Sequence, residues 1–262
     1  MRHSTFRFAL LAGALAMIVT TGSCGDDSDS PPQPGTDVPV RVVVLGSSTA
    51  FGIGPHDPNN IWVARYRVFL DSLNADNEVV NLAFPGYTTY QVLPTTAVPP
   101  ADRPLPDPER NITRALASAP SVIIVNLPSN DVAFGFSLAE QLANYGMIRT
   151  EAERAGVPLW ITTPQPRNLD AAGREALDAL LEASRREFAD RLLDFWTDLA
   201  ADDGSVRPEY DSGDGIHLND AAHAILARRV EESRILERVA STFGFSRSRA
   251  ADRGAIMGMA SR

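Results

Sequence analysis

The sequence predicts a single α/β domain of three layers, with helices on both faces of a mainly parallel sheet. Three observations carry that reading. Val40–Leu45 and Ser121–Leu127 are runs rich in β-branched residues, with Val42–Leu45 and Val122–Val125 apolar throughout, the pattern of strands buried on both faces. Segments with helical spacing alternate with the strand-like runs along the chain, as βαβ units require. No internal repeat is visible, which excludes a solenoid or a propeller.

The elements follow in order. Val40–Leu45 ends at Gly46 and is the first strand. Asn60–Asn74 carries Ile61, Ala64, Val68 and Leu73 at helical spacing, and Glu78–Ala83 is a short second strand. The Pro-rich stretch Leu93–Pro108 interrupts regular structure. Asp107-Pro108-Glu109 reads as a helix start, with Asp as N-cap and Pro in the first turn, running to about Ser118. Ser121–Leu127 is the strongest strand. Leu138–Ala155 is helical and stops at Gly156, a residue suited to a helix C-terminus. Val157–Thr163 is a strand, Ala171–Ala189 a helix, and Arg191–Trp196 a short strand. Asn219-Asp220 caps a last helix running to about Ala240, so the domain spans about Val40 to Phe245.

The two ends read differently. Met1–Arg7 is basic, Phe8–Val19 is apolar, and small residues lead to the single cysteine, Cys24. That is the layout of a secretory signal peptide over residues 1–23. Its end resembles a bacterial lipobox, in which the cysteine is lipidated, although Thr21 stands where that pattern usually has Leu. Residues 24–39 are acidic and rich in Pro, Ser and Gly, with little to bury, and are expected to be a disordered spacer. Residues 246–262 are expected to be a disordered tail. The chain is therefore expected to be exported to a bacterial cell envelope, anchored there through Cys24, or secreted if Cys24 is not lipidated.

Composition narrows the function. The chain has 262 residues, 24 Lys+Arg against 33 Asp+Glu, and a net charge of −9. Such a balance disfavours binding of nucleic acid or anionic lipid by bulk charge. A lone cysteine excludes an internal disulfide and a zinc-thiolate cluster. Four histidines, one in the leader, give little material for a metal centre. No dinucleotide fingerprint or phosphate loop is present.

Open parallel sheets place their sites at the carboxyl ends of the strands. The residues there are Gly46-Ser47-Ser48-Thr49-Ala50-Phe51-Gly52, then Asn81 to Thr88, then Pro128-Ser129-Asn130-Asp131. Asp214-Gly215-Ile216-His217 precedes the last helix. In order and spacing this set resembles the SGNH/GDSL hydrolase family over nearly the whole domain. The resemblance implies a flavodoxin-like fold and an esterase. Ser48 would be the nucleophile, His217 the base and Asp214 its partner. The amides of Ser48 and Gly86 and the side chain of Asn130 would form the oxyanion hole. Two positions depart from the family pattern: Ser47 replaces the usual Asp, and Pro128 the usual Gly.

The chemistry is coherent without the family. A serine hydroxyl needs a base to take its proton, an imidazole suits that task, and a carboxylate fixes the imidazole tautomer. An ester carbonyl under attack becomes an oxyanion and needs donors already in place. Among the remaining residues, Gln165 or Arg167, after the fourth strand, are candidate substrate contacts. Tyr87, Thr88, Phe134 and Phe136 are candidates to line an acyl or sugar pocket. Trp62 and His223 read as core, and His56 as a turn residue.

The expected activity is hydrolysis of small acyl esters, O-acetylated carbohydrates among them, with no cofactor, no metal and no nucleic-acid partner. The family's range also contains lipases, lysophospholipases and thioesterases. A non-catalytic, surface-anchored binding lipoprotein of the same fold is the alternative from another class.

Overall fold

The computed structural model describes residues 38–239. The leader, Cys24, most of the spacer and the tail lie outside the described residues.

Five strands form one sheet: β1 (Arg41–Gly46), β2 (Glu78–Asn81), β3 (Val122–Asn126), β4 (Leu159–Thr162) and β5 (Leu192–Leu193). Their order is β2-β1-β3-β4-β5, and all neighbours run parallel. The chain therefore winds outward in both directions from β1 and β3, and a crevice opens beyond their carboxyl ends. The pair Gly46 and Asn126 marks that end.

Alternate side chains of the central strands feed two cores. Val42, Val44, Val122 and Ile124 pack with Trp62, Tyr66 and Leu70 of α2 (Trp62–Leu73) and with Leu226 and Val230 of α7 (Asp220–Glu232). Val43, Leu45, Ile123 and Val125 pack on the other face, against Ile112 of α3 (Ile112–Ala117) and Tyr145 and Ile148 of α5 (Leu138–Arg154). Continuous apolar strands thus serve both faces at once. Each large buried side chain contributes about 1.5–3 kcal/mol. On the β4 side, α6 (Ala171–Phe188) adds Leu177 and Leu180 to a small cluster with Val132.

Two short helices that the pattern does not announce follow strands directly: α1 (Ser48–Phe51) and α4 (Asn130–Ala133). They begin two and four residues after their strands, so each presents its first residue at the crevice.

Several expected boundaries move, each for a local reason. The cap of α3 is Asn111, whose side chain accepts the Arg114 N–H, and not Asp107. The Asp107 carboxylate is spent on the Glu109 N–H and on the Tyr87 hydroxyl. The strand expected over Arg191–Trp196 shrinks to Leu192–Leu193. Asp194 folds the chain there by accepting the N–H groups of Trp196 and Thr197. The last helix breaks at Ser233, because Arg234 takes a left-handed φ of 53°. Trp62 is fully buried and meets Phe195 edge to face. His56 joins the first residue of α7, its backbone N–H and Nδ1 both meeting Asp220 Oδ2.

Candidate active site

Ser48 is the first residue of α1, and its carbonyl accepts the Gly52 N–H at 2.8 Å. Gly52 has a φ of 111°, a conformation that glycine adopts without strain, and so closes the short helix. Ser47 is fully buried, its hydroxyl without a partner among the described residues, whereas Ser48 keeps 8% of its surface exposed. Of the two adjacent serines, Ser48 is therefore the accessible one.

The backbone N–H groups of Ser48 and Gly86 have no acceptor among the described residues. For Ser48 this follows from its place at a helix start, where the first amides lack intrahelical partners. Gly86 has a φ of 81°, and the space where a Cβ would stand is open. Asn130, at the start of α4, donates from Nδ2 to the Tyr87 carbonyl at 2.9 Å. The loop after β2 and the start of α4 are thereby tied together.

Asp131 strengthens that tie from below. Its buried carboxylate accepts the backbone N–H and the hydroxyl of Thr89, and Asn144 of α5 donates to the same hydroxyl. Burial pushes the Asp131 carboxyl up to about 6, against the hydrogen bonds from Thr89 that pull it down.

Asp214 and His217 form the other half. Asp214 Oδ2 meets His217 Nδ1 at 2.6 Å. Its Oδ1 accepts the N–H groups of Ile216 and His217, both at 2.8 Å. Partial burial raises the Asp214 pKa, but the hydrogen bonds from His217 and Ile216 outweigh it and bring it down to about 2. The carboxylate is thus ionised and held in one orientation. The Ser48 hydroxyl makes no hydrogen bond to His217 in this arrangement among the described residues. Such contacts are often looser before substrate binds.

Two contacts hold the serine and histidine segments together. Gln165 accepts the Thr49 hydroxyl at 2.7 Å and donates to the Ile216 carbonyl at 3.1 Å. Ile53, which donates to the Ser48 carbonyl, precedes Gly54. A Cβ at Gly54 would stand 2.1 Å from the Leu218 carbonyl oxygen and 3.2 Å from His217 Cβ. No side chain fits there, so the two loops lie backbone to backbone.

The residues expected to touch substrate divide. Gln165 is buried, with both ends of its amide bonded inside the protein. Arg167 is half-buried and donates from Nη1 to Asn130 Oδ1 at 3.1 Å. Tyr87 turns its ring inward, its hydroxyl on Asp107. Thr88, Phe134 and Phe136 do line an open groove of about 500 Å³ beside Gly86. Gln91, Asp102 and Arg103 complete its walls.

Those three were not foreseen. The signal available was the length of the irregular Pro-rich stretch, since long loops in compact domains are usually functional. Arg103 is fixed there by Glu140 of α5 at 2.7 Å and by the face of Phe136 at 4.5 Å. Tyr90 donates to the same carboxylate at 2.8 Å.

His223 lies in the core on α7. Its Nδ1 accepts the Trp62 N–H at 3.1 Å, and its Nε2 is buried without a partner.

Comparison with known proteins bears on the family and the fold. The model of the GDSL-like lipase/acylhydrolase family matches residues 44–225, which contain every site residue above from Ser48 to His217. The fold is similar to a GDSL-like lipase from Bacteroides thetaiotaomicron, with a TM-score of 0.53 and 15% identity over 74% of this chain and 87% of that one. It is similar to the psychrotrophic esterase EstA from Pseudoalteromonas sp., whose structure is described as inhibited by monoethylphosphonate. There the TM-score is 0.53 and the identity 17%, over 74% of this chain and 96% of that one. A carbohydrate acetylesterase family member from Sinorhizobium meliloti gives 0.51 and 19%, over 77% and 99%. None of the curated proteins compared with the chain matches it.

Proposed function

Because the chain belongs to the GDSL-like lipase/acylhydrolase family and is a carboxylic ester hydrolase, we propose that it cleaves small acyl esters, O-acetylated carbohydrates among them, with a Ser48–His217–Asp214 triad. The observation that carries this reading is the Asp214–His217 pair, in which one carboxylate oxygen is fixed by two backbone N–H groups and the other faces the imidazole at 2.6 Å.

In this mechanism Ser48 Oγ attacks the ester carbonyl carbon while His217 takes the hydroxyl proton. The carbonyl oxygen becomes an oxyanion, received by the Ser48 and Gly86 amides and by Asn130 Nδ2. Collapse of the intermediate expels the alcohol, which takes its proton from His217. Water then attacks the acyl-serine, giving a proton to His217, and the acid leaves as Ser48 regains a proton. Asp214 stays ionised throughout and stabilises the imidazolium.

The groove beside Gly86 supports a small, hydroxylated substrate. Phe134 and Phe136 offer ring faces, while Thr88, Gln91, Asp102 and Arg103 are polar, and the groove is open to solvent. A long acyl chain is better served by an enclosed apolar channel. The exposed ring of Phe134 in the groove, and those of Phe51 and Phe84 packed on each other elsewhere on the surface, favour the rival lipid reading.

A fluorophosphonate probe is expected to label the wild type and not Ser48→Ala. Equal labelling of the variant would remove the serine from the mechanism. An ester panel decides the substrate, with acetylated sugars turned over faster than long-chain esters. The opposite ranking would install the lipid reading. Export and lipidation at Cys24 belong to the same proposal on the leader's pattern alone. Metabolic labelling with an alkyne fatty acid should mark the wild type and be lost in Cys24→Ser, and persistent labelling of Cys24→Ser would refute the anchor.

A further inference from the structure

The four segments that supply the triad and the oxyanion hole leave out the loop after β4, yet that loop touches most of them. Gln165 joins the α1 segment to the histidine loop. The Asn168 N–H donates to the Gly215 carbonyl at 2.7 Å. Arg167 reaches the Asn130 side chain.

We propose that Arg167 is a positioning residue that acts through Asn130, fixing the orientation of its amide and sharpening its N–H as an oxyanion donor. The proposal rests on the reading of Asn130 as part of the oxyanion hole.

The argument begins with the two ends of the Asn130 amide. Nδ2 donates to the Tyr87 carbonyl and Oδ1 accepts from Arg167 Nη1. A flipped amide would set Oδ1 against the Tyr87 carbonyl oxygen, acceptor to acceptor. It would also set the NH₂ group against the guanidinium, donor to donor. Neither contact alone fixes the amide as firmly as the two together. Nδ2 carries two hydrogens, and the Tyr87 carbonyl takes one. The guanidinium is a cation bonded to the amide oxygen, so it draws electron density from the amide and makes the other N–H a stronger donor.

A second observation separates Arg167 from an ordinary loop brace. Its Nε is buried without a partner, so the side chain holds its place although one donor goes unpaid. Burial pulls its pKa down, while the charge of Asp214 works the other way. The contact that the guanidinium makes at the site is the one to the Asn130 amide oxygen, at 3.1 Å. Arginine is suited to that place because its planar fork stays charged when desolvated.

The test is steady-state kinetics on a soluble acyl ester with Arg167→Met, Arg167→Lys, Asn130→Ala and the double variant Arg167→Met/Asn130→Ala. Arg167→Met is expected to lower kcat by about 10- to 100-fold, short of the loss of a whole oxyanion donor, with KM changed by less than about threefold. Arg167→Lys should recover most of that loss, because it restores the charge at Asn130 Oδ1. In the Asn130→Ala background, Arg167→Met should lower kcat by less than about threefold further, since the residue through which it acts is gone. Unchanged kcat in Arg167→Met, a loss confined to KM, equal loss in the Met and Lys variants, or full additivity in the double variant would each overturn the inference. Thermal melts accompany each variant, and if Arg167→Met does not fold, Arg167→Gln, which keeps a donor but carries no charge, takes its place in both backgrounds. Ser48→Ala separates the two levels. If it is inactive while Arg167→Met is as fast as wild type, the positioning role alone fails. If Ser48→Ala still turns over, the underlying mechanism fails first.

Discussion

Asp214→Asn should lower kcat by about 10⁴-fold while leaving the fold intact. The size of the effect follows from the way the carboxylate is held. Oδ1 accepts two backbone N–H groups, from Ile216 and His217. An asparagine must keep its carbonyl oxygen there, because an NH₂ group would face two donors. Its nitrogen then occupies the Oδ2 position, opposite His217 Nδ1 at the 2.6 Å contact. An amide nitrogen donates, so Nδ1 must present its lone pair and the proton moves to Nε2. The imidazole then has no lone pair to take the Ser48 proton. Turnover at neutral pH, compared with wild type at matched thermal stability, checks this. A loss smaller than about tenfold would show that Asp214 does not set the tautomer.

The second large effect concerns stability rather than rate. His223 is buried on α7, and burial above all pulls its pKa down to about 3, from the ordinary 6.5 of an imidazole. Asp220 opposes that shift, while Arg65 and His217 add to it. Its Nδ1 is committed to the Trp62 N–H, so the ring is held neutral with its proton on Nε2. The sign follows directly. An unfolded chain takes up the proton near pH 6.5 and the folded one near 3, so the stability is whole above 6.5. It is lost as pH falls through that window, by as much as about 5 kcal/mol. His223→Asn keeps an acceptor for the Trp62 N–H but cannot titrate. It should be less stable than wild type at pH 7, because the ring volume is missing. That deficit should shrink or reverse by pH 4. Urea unfolding at a series of pH values measures it, and a pH-independent deficit would contradict the buried neutral histidine.

Much of the fold was legible because burial on both faces leaves a plain mark. Val42–Leu45 and Val122–Val125 are apolar at every position, and a parallel central strand is one of few structures that uses all of them. Element ends were less legible, since they depend on competing side-chain bonds. Asp107 and Asn111 are both good caps, and the contact between Asp107 and Tyr87, twenty residues away in sequence, decides between them. Strand β5 ends at Leu193 because Asp194 turns the chain, which apolar content alone does not reveal.

The site divides along the same line. Ser48, Gly86, Asn130, Asp214 and His217 stand in short local motifs, and the order and spacing of those motifs carried the resemblance that singled them out. Gln165 and Arg167 were noticed for lying after a strand, but their partners are distant in sequence. Thr49 is 116 residues from Gln165, and Asn130 is 37 from Arg167. No local pattern encodes such a pairing, so these hydrogen bonds could not be read from the sequence. The groove walls Asp102 and Arg103 lay in a segment readable only as irregular.

That irregular segment separates two jobs that share one crevice. It hangs between β2 and α3, contributes no strand, and is moored where Arg103 and Tyr90 meet Glu140. The hydrogen bonds that set the Asp214–His217 pair and the Asn130 amide all lie outside residues 93–108. Apart from Asp107, whose carboxylate holds the Tyr87 hydroxyl, the segment's length and side chains can therefore vary without redrawing those hydrogen bonds. On the proposed function, the shape of the groove can then vary separately from the Asp214–His217 pair, with Glu140 linking Arg103 and Tyr90 beneath it.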